Sequence, residues 1–123
     1  MIFVGAYLSV FMLIGHLALG IPWYLKPVLQ SDAAVIPKSV MHAVFHYMTV
    51  VMVMSASALV TFAHNLLTIS PDVVRFIGIG YILFGLTQII LAVSSNGFKG
   101  LIKMFQWTMF LPIGILALLA VGV

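Results

Sequence analysis

Val73 to Val93 reads VVRFIGIGYILFGLTQIILAV, and Arg75 is its only charged residue. A run of about 20 residues this apolar is long enough to cross a hydrocarbon core of roughly 30 Å. Its small and polar members, Gly78, Tyr81, Gly85, Gln88 and Ala92, recur at helical spacing on one face. Apolar contact does little to drive helices together in lipid, so such residues mark the faces that meet. The stretch predicts a membrane helix with this face inward and its Leu, Ile, Val and Phe side chains toward lipid.

Three further apolar stretches flank it. Span one runs from about Ile2 to Gly20 and is expected to stop at Gly20 and Pro22. Span two covers about Lys38 to Phe62, just after Pro37, which suits the first position of a helix. Span four covers about Leu101 to Ala120, with Pro112 inside it as an expected kink. Ser70-Pro71-Asp72 is a start signal for span three: a capping hydroxyl, a proline where no N–H is needed, and an acid in the first turn. Ser94 to Gly97 reads as a tight turn. The longest connection, Ile21 to Ile36, carries Trp23, Tyr24 and Lys26, which favour the headgroup level; Trp107 suits the same depth. The expected fold is all-α: a single domain over residues 1–123, an integral membrane bundle of four transmembrane helices in up-and-down order.

Composition agrees. Of 123 residues 64% are hydrophobic, and only five are Lys or Arg and two Asp or Glu. An ordinary soluble domain carries roughly a quarter charged residues, which excludes a soluble enzyme. The net charge of +3 is scattered at span ends, so no nucleic-acid partner is expected. The absence of cysteine removes disulfides, thiolate ligands and redox dithiols. No basic segment precedes the first apolar run, which is therefore expected to be a retained span rather than a signal peptide. Lys26, Lys38, Lys99 and Lys103 flank the first and third loops, against Arg75 alone in the second. This bias puts the first and third loops in the cytoplasm and both termini on the non-cytoplasmic side.

The ionisable residues expected inside the spans are histidines. An intramembrane imidazole is costly without a partner and is a functional-site hypothesis by default. Gly5, Ser9, Met12, His16 and Gly20 form the expected inner face of span one, and Ser39, His42, His46, Thr49, Val53 and Ser57 that of span two. At 1.5 Å per residue, His16, His42, His46, Gln88 and Gln106 fall about 6 to 13 Å from the cytoplasmic ends of their spans. They form one polar layer. His16 and His46 are expected to point into the bundle near Gln88 or Gln106, and His64 to lie at the outer interface without such a role.

Three readings fit that layer. In the first, imidazoles and amides satisfy one another and fix helix packing. In the second, His42 and His46 at i, i+4 chelate Zn or Cu with His16 as third ligand, or His16 and a span-two histidine hold a b-type haem. Met41, Met48, Met52 and Met54 would suit Cu(I), although methionine is also an ordinary filler of apolar gaps. In the third, the histidines form a proton relay or transport path, which the lack of an intramembrane acid disfavours. No hydrolase-like arrangement of nucleophile, acid and histidine is present.

Gly15-His16-Leu17-Ala18-Leu19-Gly20 and Phe45-His46-Tyr47-Met48-Thr49 resemble elements of a group of small, uncharacterised bacterial four-span membrane proteins. That group carries a His-x-x-Leu-Gly element late in span one and a Trp-His element before a threonine in span two. Here Phe45 stands in place of the tryptophan, and Ile21 where an acid often follows the glycine. The resemblance covers about the first half of the chain, implies a bacterial inner-membrane protein, favours His16 and His46 over His42, and brings no activity with it. The expected role is non-catalytic: an accessory subunit of a membrane complex, or a homo-oligomer, whose partners are the bilayer and another membrane protein or a second copy.

Overall fold

The computed structural model describes residues 1–122, and the fold they form is all-helical. Helix α1 (Ile2–Ala18) does not end at Gly20. It runs on through a π-helical turn, Ile21–Leu25, into α2 (Lys26–Gln30), so that Ile2–Gln30 forms one apolar helical stretch. The expected stop fails because the chain widens into a π turn at Pro22, a local change of pitch that takes up the ring and its missing N–H. Trp23 N–H donates to Leu19 O at 3.0 Å and carries the helix past the proline. The chain leaves α2 at an extended Ser31, whose carbonyl accepts from Lys38 Nζ at 2.9 Å.

Helix α3 spans Val35–Ala63 with Pro37 in its first turn. Helix α4 (Pro71–Asn96) begins as expected, with Ser70 Oγ accepting from the Asp72 N–H at 3.2 Å and Arg75 paired to Asp72 one turn on. It continues past Val93, since the Ser94 and Ser95 hydroxyls fold back onto Ile90 O and Leu91 O rather than opening a turn. Gly97, at φ +58, ends it. The fourth apolar stretch is broken into α5 (Phe98–Lys103) and α6 (Trp107–Ala120). Two carbonyls at the break are held by side chains: Trp107 Nε1 donates to Leu101 O at 3.1 Å and Tyr24 OH to Lys103 O at 3.0 Å. Residues expected as interface anchors thus also cap a discontinuous helix. Helix α6 runs through Pro112 and is 14 residues long, whereas the three stretches Ile2–Gln30, Val35–Ala63 and Pro71–Asn96 are long and apolar enough to cross a membrane.

Helices α4 and α6 pack closely. A Cβ on Gly114 would meet Gly78 O at 2.7 Å, and one on Gly85 would meet the Leu111 side chain at 2.6 Å. Helix α1 buries its expected face, Gly5, Ser9 and Met12, against α3 and α6. On α3 the buried residues are Met52, Ser55, Ala56, Leu59 and Ala63, while Ser39, His42, His46, Val53 and Ser57 are exposed. The expected inner face of this helix is therefore corrected. Polarity marked the His42–His46 side as inward, but a small-and-apolar seam makes the contact with the neighbours. Large side chains such as Phe76, Phe98 and Ile102 cover the outside of the molecule. Tyr7 OH and His64 Nε2 meet at one end, 2.9 Å apart, and the Tyr24–Lys103 contact closes the other.

Candidate functional site

Helices α3 and α4 touch at Ser55 and Tyr81, whose hydroxyl oxygens are 2.9 Å apart. On the Tyr24 side of that contact the bundle encloses a partly open cavity of about 440 Å³. Phe45, Met48 and Met52 of α3 form one wall, and Phe84, Thr87, Gln88 and Leu91 of α4 face them. Met12 and His16 of α1, with Met109 and Phe110 of α6, complete the enclosure. Among the described residues its lining holds no Lys, Arg, Asp or Glu. A mostly apolar pocket of a few hundred Å³ with a small set of converging polar groups has the make-up of a small-molecule site.

His16 is half-buried on α1. Its Nε2 lies 3.1 Å from Thr49 Oγ1 and 3.3 Å from Phe45 O, and the Thr49 hydroxyl is itself 3.1 Å from that carbonyl. A carbonyl only accepts, so the assignment that satisfies all three contacts has Nε2–H donating and Nδ1 left as an acceptor. The Phe45 ring stacks on the imidazole, centroids 4.2 Å apart and 17° from parallel. Gly20 lies one turn further along and leaves the Nδ1 edge uncovered; a Cβ there would sit 3.7 Å from Nδ1 and 3.1 Å from the Phe45 ring.

Gln88 Nε2 donates to Gln106 Oε1 at 2.8 Å, tying α4 to the residue that opens α6. Whichever way the two amides are turned, one bond between them leaves one carbonyl oxygen and one NH₂ group over. Both residues are half-buried, and among the described residues no fully buried side-chain nitrogen or oxygen lacks a partner. The leftover amide atoms are therefore reachable, and both side chains line the cavity.

The sequence-predicted layer thus divides. His16, Gln88 and Gln106 come together around the cavity, with the Gln pair bonded directly. His42 and His46 do not join them: both are exposed on α3, their ring centroids 5.0 Å apart. The reason is helical phase. Phe45 faces His16, which puts the next residue, His46, about 100° further round the helix, where it meets the edge of Phe45 at 5.6 Å and the His42 ring. The three imidazoles do not converge, and among the described residues no group of three or more His, Asp or Glu is placed to hold a metal ion. A haem held between His16 and a span-two histidine would need His42 or His46 to turn in from the exposed side of α3. The methionines divide too: Met48 and Met52 line the cavity, whereas Met41 and Met54 face outward. His64 lies away from the cavity, against Phe3 and Tyr7.

Phe45 and Thr49, which orient His16, are the site residues that polarity alone did not single out in a functional role. Their i, i+4 spacing on the α1-facing side of α3 was the available signal. Comparison of the chain with protein-family models, curated proteins and solved structures gives no match.

Proposed function

We propose that this chain is a four-span integral protein of a bacterial inner membrane that acts as a non-catalytic subunit, in a homo-oligomer or a larger membrane complex. In this reading α5 and α6 together make the fourth span. Both termini lie on the non-cytoplasmic side, and Lys26, Lys38, Lys99 and Lys103 on the cytoplasmic side.

The observation that carries the reading is the exposed His42–His46 pair. It sits on a helix of 29 residues, about 43 Å long, and His46 lies about 16 Å from its start. At that depth an imidazole facing hydrocarbon is unfavourable, and a helix of a neighbouring protein supplies its partner. Ser39, Val53 and Ser57 extend the same exposed side as small or polar positions. The lack of a charged residue in the cavity lining supports a binding role over catalysis.

The test is cross-linking in native membranes. Cysteines introduced singly at Ser39, Ser57 and, as a control, Phe76 are oxidised, and the products are separated by mass. Ser39→Cys and Ser57→Cys should give cross-linked species, with the chain itself or with one defined partner, and His46→Ala should weaken them. Equal cross-linking from Phe76→Cys, or a lone monomer from all three, would overturn the assignment.

A further inference from the structure

We infer that the cavity beside His16 binds an isoprenoid quinol, a neutral ring-headed lipid whose hydroxyls meet His16 and the Gln88–Gln106 pair. The inference rests on the membrane placement above but not on the oligomer.

Charge narrows the ligand first. With no ionised side chain in the lining, a phosphate, carboxylate or ammonium drawn in would be buried without a counter-charge. The occupant is therefore neutral. Volume and surface come next. A space of about 440 Å³ holds a substituted six-membered ring and the start of a tail. Aromatic walls, Phe45 on one side and the Phe84–Phe110 pair on another, give a ring flat faces to lie against, and Met48 and Met52 adapt to its substituents. Exposed apolar residues of the lining, Leu19, Leu91 and Phe105, give a tail an apolar way out.

Hydrogen bonding selects among neutral lipids. One wall offers an acceptor, His16 Nδ1, in the neutral tautomer whose Nε2–H is used by Phe45 O and Thr49 Oγ1. Another offers a spare amide NH₂ and a spare amide oxygen. A quinol has two hydroxyls, each able to donate and accept, so it serves both walls at once. A prenol has one hydroxyl and serves one, and a diacylglycerol adds only ester carbonyls, which accept from the amide NH₂ but leave the spare amide oxygen without a donor. An oxidised quinone has acceptors only and leaves Nδ1 without a donor. The pocket therefore discriminates by redox state through hydrogen bonding, with no electron transfer involved.

The experiment is equilibrium binding of a decyl-tailed benzoquinol, kept reduced, to the protein in phosphatidylcholine nanodiscs. Retained quinol is quantified against empty discs, and disc mass is read in parallel. Saturable binding of one quinol per chain is expected, about tenfold weaker for the oxidised form, the order of one lost hydrogen bond. Gln106→Leu should weaken binding about tenfold, as should Gly20→Val, which covers the Nδ1 edge, while His46→Ala should leave it unchanged. If one variant fails to insert, the other together with the redox pair decides. No saturable excess over empty discs, equal binding of quinone and quinol, or displacement by equimolar diacylglycerol would overturn the proposal. Binding by discs that hold only a monomer would remove the homo-oligomer and leave the quinol site standing, and an intact oligomer without binding would sink the quinol alone.

Discussion

Ser55 donates its hydroxyl proton to Val51 O at 2.8 Å, which leaves its oxygen to accept from Tyr81 OH at 2.9 Å in the buried contact of α3 with α4. This tie stands at the edge of the cavity: the lining residues of α3 all precede Ser55, and those of α4 all follow Tyr81. It fixes where two antiparallel helices meet and hence where the cavity begins.

The two ends of that bond should not respond alike. Tyr81→Phe removes a donor and leaves Ser55 still bonded to its own helix, a loss of about 0.6 kcal/mol by the average for membrane bundles. Ser55→Ala strands the Tyr81 hydroxyl in a buried site, which costs about 1–3 kcal/mol. Unfolding by graded denaturing detergent measures both. Equal midpoints for the two variants would contradict the assigned direction of the bond.

The α4–α6 contact should be intolerant where it is tightest. Gly114→Val pushes side-chain atoms into Gly78 O and Ile82 and should destabilise by about 1–3 kcal/mol. Gly80→Ala meets nothing within 4 Å and should be neutral in the same assay. A silent Gly114→Val would show that the helices do not approach as described.

Orientation is open to labelling. Cysteines at Ser31 and Ser95 should be protected from an impermeant thiol reagent in intact spheroplasts, and one at Thr68 should react. The reverse pattern would place the four lysines outside.

The helix break makes a fourth test. Tyr24→Phe frees Lys103 O and Trp107→Phe frees Leu101 O, with a cost of about 1 kcal/mol apiece. Because the two bonds hold neighbouring turns of one break, the double variant should lose more than the sum of the singles. Strict additivity would mean that the break is held by something else.

The faces of α1 and α4 were readable from sequence because there the small and polar residues coincide with the contact: Gly5, Ser9 and Met12 on one, Gly78, Gly85 and Gln88 on the other. On α3 the two signals separate. Its imidazoles lie on one side and its packing seam, Met52, Ala56, Leu59 and Ala63, on another, so a rule that treats polarity as inward misplaces the helix. Depth arithmetic did bring His16, Gln88 and Gln106 to one level, since rise per residue is insensitive to phase. The break after Lys103 left no trace, as Met104-Phe105-Gln106 contains neither glycine nor proline. It depends on hydrogen bonds from Tyr24, about 80 residues earlier in the chain, and from Trp107.

The glycine contact between α4 and α6 has a mechanical consequence. Backbones that touch with no side chain between them have little room to slide, so these two helices behave as a stiff rail. Helix α3 leans on that rail through the Ser55–Tyr81 tie and otherwise rests on α1. For a swing of α3 about that tie, the lever arm from Ser55 to Phe45 is ten residues, about 15 Å. A tilt of a few degrees is magnified to the order of an ångström at the far wall of the cavity, beside the stacked imidazole.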